Sequence, residues 1–153
     1  MPTARRSRTI TAPLQALWEI VADPHHLPRW WPRVERVEDV RASDFTEVMR
    51  TRNGRVVRAD FEGLRADEGE HTVSWSQRVE GTPFARVLRS AETEVRLAAA
   101  LQDDISAGVA TEVTIELRQS LSGFFPRFGA FMVRRAAANT LDEALDGLER
   151  ISG

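Results

Sequence analysis

Hydrophobic positions change their spacing twice along the chain. Leu14, Leu17, Trp18 and Val21 recur at i, i+3, i+4 and i+7, which predicts one apolar face of an amphipathic helix. Thr11-Ala12-Pro13 stands before it, an oxygen-bearing cap candidate followed by a proline suited to a first helical turn. Asp23-Pro24 stops the helix, because a residue before proline is pushed away from helical angles. His25 to Trp31 then reads as a second short helical turn, closed by Pro32. Ahead of both, residues 5–10 read as a short strand.

From Val34 to about Leu121 the segments are short, alternating and broken by turn signals. The clearest strand covers 109–117, with Val109, Thr111, Val113, Ile115 and Leu117 on one face. Ala110, Glu112, Thr114 and Glu116 take the other, as in a strand with one face buried. His71, Val73, Trp75, Gln77 and Val79 alternate with polar residues, and so do Val57, Ala59 and Phe61. Asn53-Gly54 is the strongest hairpin signal. Glu68-Gly69, Glu80-Gly81-Thr82-Pro83 and residues 103–108 mark further turns. Residues 33–41 place Val34, Val37 and Val40 at every third position, which predicts a strand with a bulge. The facing of 43–52 is ambiguous, and Glu47 can point to either side.

From Phe124 to Ile151 the helical period returns, with Pro126 in the first turn. A helix of ~25 residues spans ~38 Å. Phe124, Phe128, Phe131 and Met132 cluster on one side of it, and Ala138, Leu141, Leu145 and Leu148 lie a third of a turn or more away. Such a drifting stripe suits a helix laid across a twisted sheet. The order is strand, two helices, about six strands, long helix, which predicts an α+β antiparallel meander covered by the last helix. At 153 residues the chain fits one domain, 1–153.

This order resembles the polyketide cyclase/dehydrase branch of the START-like (SRPBCC, birch-pollen-allergen-like) helix-grip superfamily. The strings that carry the resemblance are Thr11-Ala12-Pro13 to Trp18, Asp23-Pro24, and Leu27-Pro28-Arg29-Trp30-Trp31-Pro32. Trp75 in mid-strand, Gly81-Thr82-Pro83-Phe84 and Gly108 to Thr114 complete them. The resemblance implies a curved seven-stranded sheet wrapped around the C-terminal helix, with a cavity between them. Members of that superfamily include lipid carriers, hormone receptors and aromatase/cyclases, so the resemblance bears on fold far more than on function.

Composition narrows the chemistry. All 21 basic residues are arginine, and tyrosine and cysteine are absent as well as lysine. Lysine Schiff bases, cysteine nucleophiles, thiolate metal sites and phenol acids are therefore excluded. No Ser-His-Asp order, phosphate loop or metal-ligand spacing appears, so neither a cofactor nor a metal is expected. The formal charge is −2, and Arg5, Arg6 and Arg8 form the one short basic group, so nucleic acid is not an expected partner. No apolar run approaches the ~20 residues of a membrane span, and no signal-peptide core opens the chain. The expectation is a cytoplasmic monomer or homodimer with no stable membrane insertion, whose partner is a hydrophobic small molecule.

The candidates to line the cavity are Trp30, Trp31, Phe61, His71, Trp75, Thr111, Val113, Phe124, Phe128, Phe131, Met132 and Arg135. Trp30 and Trp31 cannot both face inward on a short turn, so one belongs to the core and the other to the cavity mouth. Arg135 is the candidate to meet a ligand carboxylate. Thr111 can donate to a ligand or satisfy itself locally. Two functions fit: a carrier or sensor of a hydrophobic ligand such as a lipid or polyketide, and a cyclase- or dehydratase-type enzyme. His71 is the acid/base candidate for the second, although its place beside Glu68-Gly69-Glu70 suggests a wet rim.

Overall fold

The computed structural model describes residues 2–100, 109–123 and 127–152, with the side chains of all but Arg127 and Phe128 among them. Seven strands form one antiparallel sheet: β1 (Thr3–Ile10), β2 (Val34–Arg41), β3 (Asp44–Arg50), β4 (Val56–Asp67), β5 (Thr72–Gln77), β6 (Leu88–Ala99) and β7 (Thr111–Leu121). Their order across the sheet is β1-β7-β6-β5-β4-β3-β2. Helices α1 (Leu14–Val21) and α2 (Leu27–Trp30) carry the chain from one edge to the other, and the meander returns it. The long helix α3 (Arg127–Ser152) follows. This is the expected helix-grip architecture. No described helix is long and apolar enough to cross a membrane.

Local chemistry explains most boundaries. Leu17, Trp18 and Val21 bury the apolar face of α1. Its N-cap is Pro13 rather than Thr11, and no side chain caps it. The Asp23 carboxylate accepts the His25 backbone N–H and starts the next turn. The 33–41 segment is a strand, and its period of three has a cause. Its pairing with β3 shifts between Val34 and Arg36 and again between Glu38 and Arg41. The irregularities let Val34, Val37 and Val40 all pack on the core. A further shift between Glu62 and Arg65 in β4 coincides with Gly63 at φ +66°, an angle glycine adopts without strain. Such shifts curve a sheet, and here they bend it around its inner face.

Two strand starts differ from the expectation. Val109 is exposed and precedes β7, which begins at Thr111. His71 lies in the turn before β5, at φ +49°, so the alternation of Val73 and Trp75 does not extend to it.

The core lies between the inner sheet face and the helices. Val73, Val95, Val113 and Ile115 from the sheet meet Leu141, Leu145 and Leu148 of α3. α3 rests on β1, β7 and α2. At Gly147 the approach to α2 is so close that a Cβ would overlap the Trp30 carbonyl oxygen, so only glycine fits without a shift of backbone. The buried stripe of α3 starts at Ala137. About one and a half turns earlier, Phe131 and Met132 are about half exposed (48% and 47%).

Candidate functional site

A cavity of about 140 Å³ lies between the inner sheet face, Trp31 at the end of α2, and α3. Alternation along five strands builds it. Glu47 and Met49 come from β3, Phe61 from β4, Trp75 and Gln77 from β5, Thr93 from β6, and Leu117 and Gln119 from β7. Ala59 and Ala91 leave the space that larger side chains would fill. Trp31, Thr140 and Phe84 close it.

One wall is aromatic. The Trp31 and Trp75 rings meet edge to face at 6.1 Å between centroids. Trp75 packs similarly on Phe45 at 6.2 Å, and Phe45 stacks on Phe61 at 5.2 Å. Edge and offset contacts of this kind hold rings in defined places. Trp30 packs behind Trp31 in the core, its indole N–H buried without a partner among the described residues.

The opposite character comes from Glu47. It is 3% exposed and has no hydrogen-bond partner or counter-ion among the described residues. Burial alone pushes its carboxyl up to about 8, because a charged carboxylate loses its hydration there. Near pH 7 the carboxyl therefore holds its proton and can donate it to a hydrogen bond. The side-chain oxygen of Gln119 is also buried without a partner. Thr140, in contrast, satisfies itself by donating to the Ala136 carbonyl.

A family model described as polyketide cyclase / dehydrase and lipid transport matches residues 1–153. The chain belongs to this family. Among solved structures, the di-domain ARO/CYC protein BexL of the BE-7585A biosynthetic pathway superposes with a TM-score of 0.78 at 19% identity. The match covers 98% of this chain but 46% of BexL, so the chain spans about half the length of that protein. A START superfamily protein from Mycobacterium smegmatis matches with a TM-score of 0.74 at 15% identity, over 98% of this chain and 96% of its own. XoxI from Bacillus cereus gives 0.74 at 12% identity, over 99% and 96%. At these identities the structures share the fold. No curated protein sequence matches the chain.

In this polyketide cyclase/dehydrase family member, the twelve sequence candidates separate into groups. Trp31, Phe61 and Trp75 stand together on the cavity wall. Trp30 and Val113 are core residues, 2% and 0% exposed. Thr111 is fully buried and donates its hydroxyl to the Ala12 carbonyl at 2.8 Å, so it takes the local alternative and ties β7 to the start of α1. His71 packs edge-on against Trp18 of α1, with ring centroids 5.5 Å apart, and does not line the cavity. Phe131 lies in an outer groove beside β1. Met132 and Arg135 line another outer groove with Arg33 and Arg52. None of these three reaches the cavity, because the first turns of α3 turn this side outward. Phe124 and the Phe128 side chain lie outside the described residues.

Sequence reading left Glu47 undecided and did not single out Gln119. A signal existed for both. Glu47 sits between Phe45 and Met49 at two-residue spacing, and Gln119 follows Leu117 in the same way. Val48, fully buried on the other face of β3, is what made both faces of that strand look apolar. A larger groove on the outer sheet face is lined by charges that already pair, Arg78 with Glu62 and Arg118 with Glu92. Among the described residues no three metal-ligating side chains converge.

Proposed function

We propose that this protein binds a hydrophobic small molecule in the cavity under α3, as a carrier or sensor. The observation that carries the reading is the aromatic wall of Trp31, Phe61 and Trp75 facing an unfilled space on the inner sheet face. Ligand sites are concave and mostly apolar, with few placed polar groups. An apolar cavity of about 150 Å³ holds one benzene ring. The volume here thus suits a single aromatic ring or a short alkyl group. The family and the fold support the same reading without naming a ligand.

Glu47 supports a second reading, an enzyme that moves a proton on a bound ligand, of the cyclase or dehydratase kind. It is the one ionisable side chain among the described residues of the cavity, and its raised pKa suits general acid work. His71, the earlier candidate, lies against α1 instead.

Titration with a panel from benzene-sized aromatics to medium-chain fatty acids tests the binding reading. Tryptophan fluorescence should change saturably with at least one of them. Trp75→Phe should remove much of that response while leaving the melting temperature within a few degrees. No saturable response across the panel would rule the reading out.

A further inference from the structure

We infer that the cavity selects uncharged molecules bearing a carbonyl group, whose oxygen accepts a hydrogen bond from the Glu47 carboxyl while their apolar body lies against Trp31 and Trp75. The inference rests on the cavity being the ligand site and adds the ligand's chemistry.

Glu47 is an unpaired polar side chain at the floor of a cavity, 3% exposed. Its cross-strand neighbours are Val37 on β2 and Ala59 on β4, and neither offers a polar side chain. α2, β5, β6, β7 and α3 send no ionisable group into the cavity among the described residues. Of the charged groups of α3 around Thr140, Asp142 pairs with Arg6 on β1, and Arg135 and Glu143 line the outer groove. Among the described residues nothing on the walls therefore holds Glu47 as an anion, and none makes a hydrogen bond with its carboxyl.

A donor that faces a cavity without an acceptor gains a hydrogen bond when a ligand oxygen reaches it. A ketone or aldehyde supplies that oxygen without bringing charge. A ligand carboxylate would instead add an anion to a largely buried site where no cation stands among the described residues, which is costly. The unpartnered side-chain oxygen of Gln119 in the same cavity is an acceptor, so it takes a donor from the ligand and not the ligand's carbonyl oxygen.

Acetophenone and isopropylbenzene test this, because they share a shape and differ in the carbonyl. Their affinities for the full chain are measured by ligand-observed NMR at pH 7. Acetophenone should bind about tenfold more tightly. Glu47→Gln retains an N–H donor and should keep the preference. Glu47→Leu should lose it and still bind isopropylbenzene, which shows that the cavity is intact. For the wild type the acetophenone affinity should fall by up to about tenfold per pH unit above pH 8, and for Glu47→Gln it should not. Equal affinities in the wild type, or a preference that survives Glu47→Leu, would overturn this inference and leave the cavity as a ligand site. Binding of neither compound would overturn both.

Discussion

Glu47→Gln is expected to stabilise the protein strongly at pH 8 and to change its stability little at pH 4. The folded carboxyl titrates near 8, and the unfolded one near its ordinary value of 4.5. Below 4.5 both states hold the proton, and the group places no charge in the core. Between 4.5 and 8 the unfolded chain releases its proton while the folded protein keeps it. Stability then falls as pH rises, by on the order of 1.4 kcal/mol per pH unit. Above 8 the folded carboxyl ionises too and the loss levels off. Glutamine has no such slope. Denaturant melts of both proteins from pH 4 to 9 give the difference directly. Other carboxylates cancel in it, among them Glu35, held low by its hydrogen bond from Arg50, and Glu38, held low by Arg36 and Arg58. Two parallel stability curves would mean that Glu47 is not buried and unpaired.

The second large effect concerns the core rather than the cavity. Val95 in β6 is fully buried, with Val73 on β5 and Ile115 on β7 as its cross-strand partners. No charged side chain shares that inner face beside it. Val95→Asp would bury a carboxyl among aliphatic groups, which costs several kcal/mol whether it ionises or takes up a proton. For a chain of this length each kcal/mol moves the melting temperature by about 2–4 °C. A drop of more than about 10 °C, or failure to fold, is expected by differential scanning calorimetry. Val95→Ala, which removes two methyl groups and adds no charge, should cost much less. A Val95→Asp protein melting with the wild type would place Val95 outside the core.

The fold was legible because its signals are local and agree with one another. Helical spacing in 14–21, alternation in β5 and β7, the Asn53-Gly54 turn and the terminal helix all point to one architecture. The departures have physical causes that a single strand cannot reveal. Two register shifts in β2 produce a period of three that matches neither helix nor strand. The turn at His71 ends an alternation that looked continuous. Phe131 and Met132 are apolar at helical spacing, yet the inner sheet face is occupied along the second half of α3, and their side of the helix meets solvent-lined grooves. Aromatic residues that depend only on strand alternation, Phe61 and Trp75, were placed on the inner face. Glu47 needed both neighbours of β3 before its side could be read, and it proves the most unusual group of the cavity.

A hydrophobic molecule is expected to occupy the space bounded by Trp31, Trp75 and Glu47. Intermolecular NOEs between bound acetophenone and the assigned protein test it most directly. The expected result is contacts from the ligand ring to the indole protons of Trp31 and Trp75 and to the Met49 methyl group. Contacts confined to Phe131 or Met132 in the outer grooves would contradict it.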